Sequence, residues 1–83
     1  MANVTMYTTR TCPFCQMQKA YFSDKNVKYT EILVDENPNE AIAMIEISGQ
    51  MGVPFTVIDK DTRERITVLG FDKTKLDEAL GLG

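Results

Sequence analysis

Histidine is missing from this 83-residue chain, and cysteine occurs only twice. Those two shortages exclude a closed structural zinc site within one chain, which needs four nitrogen or sulfur ligands. They also exclude the cysteine-dense scaffold of small secreted domains. No apolar run approaches the roughly 20 residues of a membrane-spanning helix, so no membrane association is expected. The opening Met1-Ala2-Asn3-Val4-Thr5 lacks a basic stretch followed by an apolar one, so no signal peptide is expected and the compartment reads as the cytoplasm. Acidic residues outnumber basic ones for a net charge of −3, and the basic ones are scattered, so nucleic acid is not expected as a partner. Repeats, linkers and low-complexity segments are absent too. What is present is a hydrophobic content of 43%, ordinary for one globular domain spanning residues 1–83.

The pattern of apolar residues implies the element order βαβαββα. Residues 4–8 alternate with β-branched enrichment and read as a strand. Residues 13–24 read as a helix whose packed face carries Phe14, Met17 and Tyr21, with Phe22 beside them. Residues 28–34 form a second strand, and so compact a strand–helix–strand implies a parallel pair with a right-handed crossover. Asn37-Pro38-Asn39-Glu40 starts a second helix, with Asn37 as its cap, Ala41, Met44, Ile45 and Ser48 on one face, and Gly49 as its stop. Residues 55–58 and 65–69 read as an antiparallel hairpin turning at Asp59-Lys60-Asp61-Thr62. Asp72 caps a last helix with Leu76, Ala79 and Leu80 on its buried side, ending at Gly81. Met6, Met17, Met44 and Met51 read as packing residues, and Lys19 and Lys25 as solvated charges.

Against this background stands Cys12-Pro13-Phe14-Cys15, immediately after the first strand. Residues i and i+3 share a helix face, close enough for two sulfurs to bridge. Pro13 suits the first helical position, where its missing N–H would have had no partner. Cys12 is then the N-cap, its sulfur facing free N–H groups and the positive end of the helix dipole. A free thiol ionises near pH 8.5, and a helix N-terminus lowers that to about 3.5–7.5. Cys12 is therefore expected to be the nucleophile and Cys15 the resolving thiol, with Arg10 as the nearest fixed positive charge. Half of an intersubunit metal site and a small structural disulfide are the bland readings, and so short a closed loop stabilises little. Two further positions are ambiguous from the residues alone. Val53-Pro54 reads as punctuation opening a strand. Gly70-Phe71-Asp72 reads as a strand end, an aromatic and a helix cap, and both Phe14 and Phe71 read equally well as core.

Taken together, the segment from Tyr7 through Cys15, Gly52-Val53-Pro54 and Gly70-Phe71-Asp72 resemble the glutaredoxin family along the whole chain. The resemblance implies a thioredoxin fold: an α/β domain with a four-stranded mixed sheet in order 2-1-3-4, the last-but-one strand antiparallel, flanked by three helices. It implies a thiol–disulfide oxidoreductase with catalytic Cys12 and Cys15. It implies a cis Val53–Pro54 bond lying against the dithiol, with the backbone of Val53 pairing with the substrate. Arg10, Phe14, Gly70, Phe71 and Asp72 would frame the contact surface. The family carries no bound cofactor or metal in this mode, although glutathione serves as co-substrate. Expected partners are disulfide-containing proteins, with glutathione or a flavoprotein thioredoxin reductase as electron donor, and the chain is expected to be a monomer. Two departures touch the donor. Thr9 stands where many members have a glutathione-binding lysine, and Gly70-Phe71-Asp72 replaces a Gly-Gly segment followed by Asp. Gly-Phe there is similar to the redoxins served by thioredoxin reductase, and the Phe71 side chain is expected to fill part of the backbone anion site. The alternative within the family is a module that shares a [2Fe–2S] cluster between two chains.

Overall fold

The computed structural model describes residues 3–82. Its first strand, β1 (Asn3–Thr8), sits between β2 (Thr30–Leu33) and β3 (Phe55–Asp59), and β4 (Arg65–Leu69) completes the sheet in the order β2-β1-β3-β4. β1 runs parallel to β2, from Thr5 opposite Thr30 to Thr8 opposite Leu33. β3 runs antiparallel to both β1 and β4. β2 is shorter than the expected 28–34: its ladder with β1 begins only at Thr30, opposite Thr5, and stops where β1 stops. One further bond, from the Val34 N–H to the Thr8 carbonyl at 2.9 Å, closes that end.

Three helices connect and cover the strands: α1 (Pro13–Asp24), α2 (Pro38–Ser48) and α3 (Lys73–Leu80). Alternation along the strands splits the core in two. Val4, Met6, Ile58 and Val68 face α1 and α3, which supply Cys15, Phe22, Leu76 and Ala79. Tyr7, Phe55 and Val57 face α2, which supplies Met44. Covered on both sides, β3 is buried from Phe55 to Ile58 without the polar alternation of a one-sided strand. α2 does not cover the outer strand, and Leu69 of β4 is left half in solvent.

α1 has the expected boundaries but not the expected face. Its buried stripe is Cys15, Gln18 and Phe22, whereas Phe14 is 60% and Met17 51% exposed. Bringing Cys15 under the sheet turns Phe14 and Met17 outward, and Tyr21 becomes half-buried against α3. Met51 is also exposed, so only Met6 and Met44 of the four methionines are packing residues. Lys19 is not a freely solvated charge either: it pairs with Glu31 of β2 at 2.9 Å. α2 starts at Asn37 as expected, yet the Asn37 side chain makes no cap bond and donates instead to the Leu33 carbonyl at 2.8 Å. α2 and α3 stop at Gly49 (φ 78°) and Gly81 (φ 69°), left-handed positions where a side chain would be strained.

Candidate redox site

Three residues separate β1 from Cys12, which is extended, φ −97° and ψ 105°, and caps α1 with Pro13 at the first helical position. Its Sγ accepts the backbone N–H of Cys15 at 3.1 Å, and its carbonyl accepts that of Gln16 at 3.2 Å. This is the side-chain N-cap bond to the third helical residue, with sulfur in the place usually taken by oxygen. The Cα atoms of Cys12 and Cys15 are 5.2 Å apart and the two sulfurs are joined in a disulfide. Cys12 keeps 8% of its surface accessible, while Cys15 is fully enclosed. Of the two cysteines, only Cys12 keeps any accessible surface.

The other expected residues fall around this pair in different ways. Val53 precedes Pro54 in a cis bond, against the reading from the residues alone and in agreement with the family resemblance. Val53 and Phe71 pack against the apolar cluster that holds both cysteines. The Pro54 carbonyl accepts the Gly70 N–H at 2.8 Å, which ties the loop after β4 to the loop before β3. Gly70 itself has φ 76°, a conformation that glycine adopts at no steric cost. The Phe71 ring is turned toward α1 and lies 5.8 Å from the Tyr21 ring, centroid to centroid. The Asp72 carboxylate caps α3 through the Lys75 N–H at 3.1 Å. That bond supplies an anion to the helix end from within the chain. Phe14 projects into solvent between the cysteines.

Arg10 is engaged elsewhere. Its Nε donates to Glu36 at 3.1 Å, its other guanidinium nitrogen pairs with the same carboxylate, and its backbone N–H donates to Asp35 at 3.1 Å. The hydrogen bond and charge of Glu36 hold the guanidinium pKa above its ordinary value. The sequence reading did not single out Asp35 and Glu36. The signal was nonetheless there: parallel pairing of β1 and β2 sets the loops at their C-terminal ends side by side.

Two polar contacts, one buried and one part-buried, were also missed. Gln18 Nε2 donates to Thr56 Oγ1 at 2.6 Å, joining the helix of the dithiol to the strand that follows Pro54. Gln18 Oε1 is buried without a partner among the described residues. Thr8 donates to Glu31 at 2.8 Å, beside the Lys19 contact. Burial raises the Glu31 pKa, but hydrogen bonds from Lys19 and Thr8 and the Lys19 charge outweigh it, so the carboxyl sits below its ordinary 4.5.

Among the described residues no group of three or more His, Cys, Asp or Glu is placed to hold a metal ion. Likewise, no described helix is long and apolar enough to cross a membrane. An open groove of about 380 Å³ lies between the β3–β4 hairpin and α3, lined by Lys60, Ile66, Lys75 and Ala79 among others, and includes neither cysteine.

A cysteine pair at a helix start, its first member the cap, on a mixed sheet in this order, defines a thioredoxin-fold redox protein. The glutaredoxin family model matches residues 4–62. Glutaredoxin 3 of Escherichia coli strain K12 is 44% identical over 59 residues, which is 71% of each chain. A glutaredoxin-like 8.6 kDa protein encoded in a rubredoxin operon of Clostridium pasteurianum is 31% identical over 77 residues, covering 93% of this chain and 96% of that one. Among solved structures, a glutaredoxin of Archaeoglobus fulgidus superposes with a TM-score of 0.80 at 29% identity, over 96% of this chain and 87% of that one. The chain belongs to the glutaredoxin family. Membership and the Cys12–Cys15 pair together support thiol–disulfide oxidoreductase chemistry.

Proposed function

We propose that the protein reduces disulfides of other proteins, and mixed disulfides with glutathione, by cycling Cys12 and Cys15 between dithiol and disulfide. In the reduced form the Cys12 thiolate attacks one sulfur of the substrate disulfide. A mixed disulfide forms and one substrate thiolate leaves. Cys15 then loses its proton and attacks Cys12, closing the intramolecular disulfide and releasing the second substrate thiol. Two electrons from a donor thiol or flavoprotein reopen it. The observation that carries this reading is the N-cap bond from the Cys15 N–H to the Cys12 sulfur, which favours the anion that must attack. Cys15, enclosed directly beneath, is within bonding reach of the Cys12 sulfur that it has to attack, and the substrate sulfur is the one displaced. Val53 before the cis proline offers backbone groups for pairing with an extended substrate. Phe14 supplies exposed apolar area beside it. The cytoplasm is the compartment in which such a dithiol would be kept reduced.

The donor is either glutathione or a flavoprotein thioredoxin reductase. Gly70-Phe71-Asp72 supports the second, since Asp72 already caps α3 and no second glycine is present there. Supplying the protein with glutathione and its reductase, or with thioredoxin reductase alone, decides between them. Failure of both pairs to sustain reduction of a protein disulfide, by a protein shown to be folded with both thiols free, would overturn the reading. A Cys15→Ser variant is expected to accumulate the mixed disulfide on Cys12, visible as an adduct by intact-mass spectrometry.

A further inference from the structure

We infer that Glu36 sets the charge selectivity of the redox site by holding Arg10, so that the entrance discriminates against anionic disulfides; this rests on the dithiol reading above. Residue 10 lies two positions before the attacking cysteine, so their Cα atoms are at most about 7 Å apart. A guanidinium there would ordinarily attract a carboxylate-bearing substrate. Instead it is spanned by both oxygens of Glu36, while Asp35 takes the Arg10 backbone N–H. One cation and two carboxylates leave this corner with a net charge of about −1. Lys19, the first cation inside α1, does not offset it, because Glu31 holds it.

The geometry is specific to charge and not to size. Arg10 and Glu36 are both solvent-facing, with side-chain exposures of 66% and 40%, so the pair contributes little to the fold. Its effect is felt by what approaches Cys12. One charge at about 8–10 Å in water changes the free energy of a doubly charged reactant enough to alter its rate about two- to fivefold, less as salt is added.

The test uses the reduced full-length chain and three small disulfides of similar size: dithiodipropionate (a dianion), hydroxyethyl disulfide (neutral) and cystamine (a dication). In a single turnover the protein dithiol is oxidised to the Cys12–Cys15 disulfide and each reagent is reduced to two thiols. Acid quench and alkylation report the rate. The readout is the ratio of the anionic to the cationic rate, which damage to the fold would leave in place because it slows both. Glu36→Gln brings the corner to neutral and should raise this ratio about four- to twentyfold at low salt, combining the effects on the two reagents. Arg10→Gln should lower it by a similar factor. The double variant returns the corner to its starting charge and should restore the wild-type ratio. A ratio unmoved by Glu36→Gln, or a double variant that keeps the single variant's gain, overturns the inference. Inertness of the reduced wild type toward all three reagents overturns the dithiol reading and this inference with it. Turnover with an unmoved ratio overturns only the inference.

Discussion

The starts of α1 and α3 are built alike and used differently. Cys12 and Asp72 are both extended cap residues, with φ −97° and −108°, and both accept the N–H three residues on at 3.1 Å. At α3 the acceptor is a carboxylate whose task ends with satisfying the helix. At α1 it is a sulfur, whose charge and bonding change with redox state. The comparison teaches that an N-cap is a ready-made anion slot. Filling it with a residue that, together with a second cysteine, can lose and regain an electron pair turns a structural position into a reactive one. α2 supplies the control. Its Asn37 makes no side-chain cap bond and the helix still forms, held by Pro38 and by packing of Met44.

The sharpest way to break the parallel is Cys12→Ser. Serine is a good cap, so the stability of the reduced protein should change by no more than about 0.5 kcal/mol. The rate of disulfide reduction should fall more than about a thousandfold. A urea titration beside a turnover assay checks both halves. Next in size is the anchoring of the two helices. α3 is held by apolar Leu76 and Ala79 and by the bond that Asp77 accepts from the Tyr21 hydroxyl, whereas α1 also reaches the sheet through the buried Gln18–Thr56 bond. Thr56→Val leaves the Gln18 amide with neither group paired and should cost about 1–3 kcal/mol, while adding Gln18→Leu should recover most of it. Thermal unfolding of the two single variants and the double variant gives the coupling directly.

Asp72→Ala removes the α3 cap and should lower stability by about 1 kcal/mol, with Asp72→Asn restoring most of that. Loss as large in the Asn variant would show that the charge matters more than the hydrogen bond. The smallest effect concerns the tie between α1 and β2. The Glu31 carboxyl is held below its ordinary 4.5, so its anionic form stabilises the fold above that pH, and the contribution fades as pH falls through the lowered value. Glu31→Gln should therefore narrow the stability difference from wild type in acid unfolding below pH 4.5, leaving a constant gap at neutral pH.

How much of this was legible depended on how local each signal was. The limits of α1, the caps at Cys12 and Asp72 and the glycine stops at Gly49 and Gly81 rest on residues within one turn of each other, and they emerged as expected. The face of α1 did not. Phe14, Met17 and Tyr21 satisfy the helical period as well as Cys15, Gln18 and Phe22 do. A polar Gln18 on the buried side makes sense only once Thr56 is known to face it. The Val53–Pro54 isomer was equally closed to residue-level reasoning, because the same two residues also open ordinary strands.

The chain's own order of residues was enough to determine a helix capped by sulfur, a second sulfur one turn inside it, and the alternation of strands and helices around them. These are short-range matters of backbone geometry, side-chain reach and hydrophobic period. Tertiary structure alone decided which cysteine is fully enclosed, which carboxylate holds Arg10 and which polar pair joins the dithiol helix to β3. Those outcomes depend on groups that are strangers in sequence (Arg10 and Glu36 are 26 positions apart, Gln18 and Thr56 are 38) and meet only because the sheet pairs its strands in one order.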